Sequence, residues 1–128
     1  MKIGVDFHGV ITDNPEFFTK WIDFMMINHH EVHIMTGARK HTFEEECKEL
    51  NIIVHYNEFF SISEFHAKHH PDKIDMTDPD RPYIADKEFW DKTKAEYAKY
   101  LQLDLVIDDN PEYFKYFTTP YMLYSKGK

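Results

Sequence analysis

Cysteine is nearly missing from this chain of 128 residues: Cys47 stands alone, so no internal disulfide can form, which suits a reducing compartment. Cys47 also lies among Glu44, Glu45, Glu46 and Glu49. Neighbouring negative charge disfavours a thiolate, which argues against a nucleophilic cysteine. Basic residues are in deficit, with 15 Lys and Arg against 23 Asp and Glu, for a net charge of −8. Nucleic-acid backbones are bound through Lys and Arg, so no nucleic-acid polymer is expected as a partner. A small phosphorylated substrate whose charge is met by a metal ion stays compatible with that balance. Long apolar runs and a signal-peptide pattern are both lacking, so the chain is expected to have no membrane partner and a cytoplasmic location. Repeats and linker-like stretches are lacking too, which points to one domain over residues 1–128.

What the chain does have is core material. Apolar residues make up 42%, with eleven Phe, eight Tyr and two Trp, which argues against disorder. Strand and helix patterns alternate along it, predicting an α/β fold with a mostly parallel sheet flanked by helices. Lys2 to Val5 reads as a first buried strand, and Asn14-Pro15 opens a helix with Phe17, Phe18, Trp21, Ile22 and Met25 on its apolar face. Glu31 to Thr36 reads as a second strand, and Thr42-Phe43-Glu44-Glu45 as the capping box of the next helix. Asn51 to Tyr56 is expected as a third strand, and Ser61-Ile62-Ser63-Glu64 as the start of a short helix toward His70. The stretch around 71–87, rich in Asp and Pro, reads as a small irregular insertion. A helix from about Glu88 to Leu101 leads to the strand Leu105 to Ile107, followed by a helix at Pro111 and an edge strand over Tyr121 to Tyr124.

Two of these strands end in carboxylates: the first at Asp6, the later one at Asp108-Asp109. An open α/β sheet presents its ligand crevice at the carboxyl ends of its strands. Gathering Asp6, Asp108 and Asp109 there without a cation is costly, and a hard divalent ion with oxygen ligands, Mg²⁺, resolves the conflict. One acidic strand end alone reads as a helix cap, as Asn110-Pro111 also does; two together shift the reading toward a site. His8 follows Asp6 by two residues, and such a pair can serve as nucleophile and general acid/base. Thr36-Gly37 ends the second strand with a hydroxyl and a backbone N–H suited to an anion. Lys94 falls on the inward stripe of its helix with Trp90, Tyr97, Ala98 and Leu101, where an ammonium needs a carboxylate or phosphate partner. Lys87 is a competitor for that role, and Lys92 points elsewhere. His66 and His70 stand at i, i+4 spacing, but without further ligands they are read as a solvated histidine face rather than a zinc site.

Taken together, the Asp-x-x-Gly-Val ending of the first strand, the Thr-Gly ending of the second, the helix-borne Lys94 and the Ile107-Asp108-Asp109-Asn110 segment resemble the haloacid dehalogenase-like superfamily, nearest its small phosphatase and 5′-nucleotidase-like branches. The resemblance spans nearly the whole chain in the right order. It implies a Rossmann-like three-layer sandwich with little or no cap domain, and Mg²⁺-dependent hydrolysis of a phosphomonoester through an aspartyl-phosphate on Asp6. The metal would be held by the Asp6 carboxylate, the backbone carbonyl of His8 and an Asp of the 108–109 pair. Thr36, Gly37 and Lys94 would hold the phosphoryl group. The substrate expected is a nucleotide or another small phosphate ester, reached through an open site or one covered by the insertion or by a second subunit of a homo-oligomer. One departure stands out: the phosphatases of this family usually carry Asp where this chain has His8. An imidazole can take over the proton transfer there; the alternative is a catalytically impaired protein that binds a phosphate ligand, a metal or a protein partner.

Overall fold

Five parallel strands form one sheet in the order β3-β2-β1-β4-β5. The computed structural model describes residues 1–125. Strand β1 (Lys2–Asp6) is central, between β2 (Glu31–Thr36) and β4 (Leu105–Asp108). Strands β3 (Glu58–Ser61) and β5 (Tyr121–Leu123) form the two edges. The first three strands step outward in one direction, and the chain then returns to place β4 on the other side of β1. That reversal is the point at which a doubly wound sheet opens a crevice between strand ends.

Strand periodicity explains the layers. Ile3, Val5, Val32 and Ile34 face one way and pack with Phe18 and Ile22 of α1 (Pro15–Ile27) and with Phe43 and Cys47 of α2 (Lys40–Leu50). Met35 and Val106 face the other way, against Ala98 of α5 (Thr93–Tyr100) and Leu103. A parallel sheet covered on both faces needs such near-continuous apolar strands. The result is a three-layer, Rossmann-like α/β arrangement. Helix α1 starts as its sequence predicts, with Pro15 in the first turn and the Asn14 side chain accepting the Phe17 N–H at 3.2 Å.

Three expected elements differ. The third strand is not Asn51–Tyr56. Asn51 takes a left-handed φ of 55° to end α2, and the following residues run as irregular backbone. Asn57 then docks on β2, its N–H donating to the Val32 carbonyl at 2.9 Å and its Oδ1 accepting from the Val32 N–H at 2.7 Å. Only beyond that clamp do Glu58–Ser61 pair with β2, from His33 opposite Glu58 to Thr36 opposite Ser61. Helix α2 begins at Lys40, not at the Thr42 capping box. Its first N–H donates to Glu64 Oε2 at 2.5 Å, so the cap comes from α3 (Ile62–His69) and Thr42 is left to bond Asp80. The helix expected over Glu88–Leu101 is two, α4 (Lys87–Asp91) and α5, meeting at Lys92.

The predicted cap at Ser61 is present, with its hydroxyl accepting from the Glu64 N–H at 3.1 Å. The stretch before α4 is irregular, held by a two-way bridge between Asp75 and Tyr83 and by the buried Ile74 and Ile84. Arg39 ties its tip down, Nε donating to the Pro79 carbonyl at 2.9 Å and Nη2 pairing with Asp80 at 3.2 Å. A single helical turn, α6 (Pro111–Phe114), leads on to β5.

Candidate active site

Strands β1 and β4 are direct neighbours, with Val5 opposite Ile107, so Asp6 and Asp108 emerge side by side at the reversal point. Both are almost wholly buried, 6% and 1% exposed, and so is Lys94, at 2%. The Lys94 ammonium bridges them, 2.8 Å from Asp6 Oδ1 and 2.7 Å from Asp108 Oδ2. The other Asp108 oxygen accepts the Asn110 N–H at 3.0 Å, which fixes the carboxylate plane. Asp109 completes the group: one oxygen from each of Asp6, Asp108 and Asp109 lies within 4.8 Å of the others. The Asp109 carboxylate sits against Gly9, whose φ is 85°; a Cβ there would collide with it. Glycine is therefore required twice at this position, for its backbone and for its missing side chain.

The electrostatics follow from this crowding. Burial holds the Asp6 carboxyl above the ordinary carboxylate range; Lys94 opposes that, and Asp108 adds repulsion. Burial works against the Lys94 charge as well, but Asp6 and Asp108 outweigh it and keep the ammonium protonated. Three carboxyl groups share one ammonium, so ionising all of them leaves the group short of positive charge. Converging carboxylate oxygens are a donor set that suits a hard divalent cation, so these residues could hold such an ion.

Thr36 and Gly37 lie at the end of the neighbouring strand β2. Thr36 is fully buried, and its hydroxyl oxygen accepts the Ala38 N–H at 3.2 Å, which leaves its own proton free to be donated. Gly37 lies under the Trp90 indole, where a Cβ would come within 2.7 Å of Cζ2. The indole N–H donates to the Tyr113 hydroxyl at 3.0 Å, and the Tyr113 ring centroid is 5.4 Å from the Lys94 ammonium. Aromatic side chains thus border the charged group, a feature that only the position of Trp90 on the same helical stripe as Lys94 could have signalled.

The rival lysines lie elsewhere. Lys87 pairs with Asp91 and Glu112, and Lys92 stands 6.0 Å from the Phe89 ring centroid. His8 is not gathered with the carboxylates by any hydrogen bond. It is half exposed, and its Nε2 meets Glu46 Oε2 of α2 at 2.5 Å. The sequence carried no sign of that pairing, because Glu46 reads as one of several solvated glutamates on its helix. Cys47, beside it, is buried, and burial together with Glu46 and Glu44 pushes its thiol up, in keeping with an inert cysteine.

His66 departs from the solvated face expected of it. It is 3% exposed, its ring centroid is 4.5 Å from that of Phe89, and its Nε2 is 2.8 Å from Thr93 Oγ1. Across the face read as wet, His66 thus reaches Phe89 of α4 and Thr93 of α5, while His70 stays partly exposed.

No protein-family model, curated protein or solved structure matches this chain. Among the described residues, no helix is long and apolar enough to cross a membrane.

Proposed function

We propose that this chain is a phosphomonoester hydrolase of the haloacid dehalogenase-like type, acting through an aspartyl-phosphate on Asp6, with a nucleotide or other small phosphate ester as substrate. The observation that carries the reading is the convergence of Asp6, Asp108, Asp109 and Lys94 at the sheet reversal. Mg²⁺, held by Asp6, the His8 carbonyl and the 108–109 pair, would supply the positive charge that favours ionised Asp6 and offsets the phosphoryl oxygens. An Asp6 oxygen attacks phosphorus as the bond to the leaving oxygen breaks, and the departing alkoxide takes a proton from the His8 imidazolium. Water, deprotonated by His8, then attacks phosphorus and breaks the bond to Asp6, releasing inorganic phosphate. Throughout, Lys94 and the Thr36 hydroxyl orient the phosphoryl oxygens. The test is a panel of phosphomonoesters, nucleotides included, assayed with and without Mg²⁺. Mg²⁺-dependent turnover is expected, and it should vanish in Asp6→Asn with the fold intact; wild-type rates in that variant would sink the covalent mechanism.

The hydrogen bond between His8 and Glu46 favours a second reading, a binding protein on a phosphatase scaffold. With Nε2 committed to Glu46, only Nδ1 of His8 is left to serve a leaving group. Turnover absent in the wild type but present in His8→Asp would decide for binding. A wild-type rate that drops by roughly 10²–10⁴ in His8→Ala would decide for catalysis.

A further inference from the structure

On the far side of α5 from the aspartates, a cleft of about 930 Å³ opens between α3, α4 and α5. Its walls are mostly rings: Phe60, Phe65, Phe89, Tyr97 and Tyr100. None of Asp6, Thr36, Gly37, Lys94 or Asp108 lines it, so it is a separate concavity. Its size and its lining, apolar with a few placed polar groups, are those of small-molecule sites.

The polar groups have a definite arrangement. Thr93 Oγ1 donates its proton to the Phe89 carbonyl at 2.8 Å and so accepts from the His66 Nε2–H at 2.8 Å. His66 Nδ1 then accepts from the His70 Nδ1–H at 3.1 Å. The chain of bonds leaves the Nε2 edge of His70 without a partner among the described residues. At the Phe89 end, Lys92 lines the cleft with its ammonium 6.0 Å from the ring centroid. Lys92 has no carboxylate partner among the described residues, whose lysine ion pairs involve Lys20, Lys48, Lys87 and Lys94. Lys99 adds a further cation to the rim, and Glu96 is the one acid lining the cleft.

We propose that this cleft binds a planar aromatic anion, an aromatic carboxylate or sulfonate, with its ring among the aromatic walls and its acid group beside Phe89 on Lys92. Flat π faces favour a flat ring over an aliphatic chain, and a cationic end on a chain of net charge −8 selects an acid locally. The test is a titration of naphthoate into the full chain, followed by backbone amide shifts, alongside the neutral naphthylmethanol. Saturable shifts are expected over residues 60–70 and 89–100, with the alcohol binding about tenfold more weakly. Lys92→Glu should weaken naphthoate about tenfold and leave the alcohol unchanged. Tyr100→Ala, at a side chain 87% exposed and so of small structural cost, should weaken both. Shifts that do not saturate or fall elsewhere, equal binding of acid and alcohol, or variants that bind like wild type would each overturn the proposal.

Discussion

Removing the Lys94 ammonium would leave Asp6 and Asp108 facing each other where water is largely excluded. Breaking a buried ion pair from one side costs about 3–5 kcal/mol, because the remaining charge is stranded. Lys94→Ala should therefore lower stability to denaturant by about that amount, while Lys92→Ala, at a position outside the charged group, stays within about 0.5 kcal/mol of wild type. Part of the Lys94→Ala loss should return on adding Mg²⁺, since a cation between the two carboxylates replaces the missing charge. A denaturation series with and without the ion measures both effects; equal losses in the two variants would show that Lys94 is not balancing the pair. This residue was legible in the sequence because a lysine on an apolar helical stripe contradicts its surroundings and so calls for a partner. His8 was less legible. Its neighbours in sequence pointed to Asp6, whereas its bond goes to a glutamate on another helix.

Among the elements, α3 and α5 are joined by a titratable contact. Burial, with smaller contributions from His70 and His69, lowers His66 to about 4. An unfolded histidine titrates near 6.5. As pH falls from about 6.5 the unfolded chain takes up a proton that the folded one refuses, so stability is complete above that value and drains away down to about pH 4. His66→Gln keeps a donor for Thr93 without the titration, so its stability should fall less between those pH values than that of wild type. Chemical denaturation at several pH values compares the two slopes; parallel slopes would remove His66 from the acid response. The elements misread in the sequence share a physical cause. Ile52-Ile53-Val54 is as apolar as a strand, yet the Asn57 clamp on Val32 postpones pairing until Glu58. Likewise α2 takes its cap from Glu64, a residue of another helix, so its own Thr42 gave the wrong start. Contacts made across the fold outweighed local signals in both cases.

At the scale of the molecule, the candidate site exists only when the fold is complete, since Asp6 and Asp108 meet through the pairing of β1 with β4. Strand alternation and acidic strand ends made that meeting legible in the sequence, because apolar runs in a parallel sheet must stop at one shared edge. An ion bound there and not by the unfolded chain must raise stability by RT ln(1 + [L]/Kd), about 2.7 kcal/mol at a hundredfold excess over Kd. Mg²⁺ should accordingly raise the melting temperature in a saturable way. An equal ionic strength of NaCl should not, because screening acts on exposed charges and this cluster is largely buried. Asp109→Asn separates the site from the fold. Asp109 is only partly buried and is not paired with Lys94, so the metal-free variant should melt close to wild type. It should nonetheless gain less from Mg²⁺, since one carboxylate of the three is gone. A thermal titration of both proteins with Mg²⁺ reads the difference directly. Identical gains would remove Asp109 from the ion's ligands, and no gain in the wild type would remove the metal from the proposed function altogether.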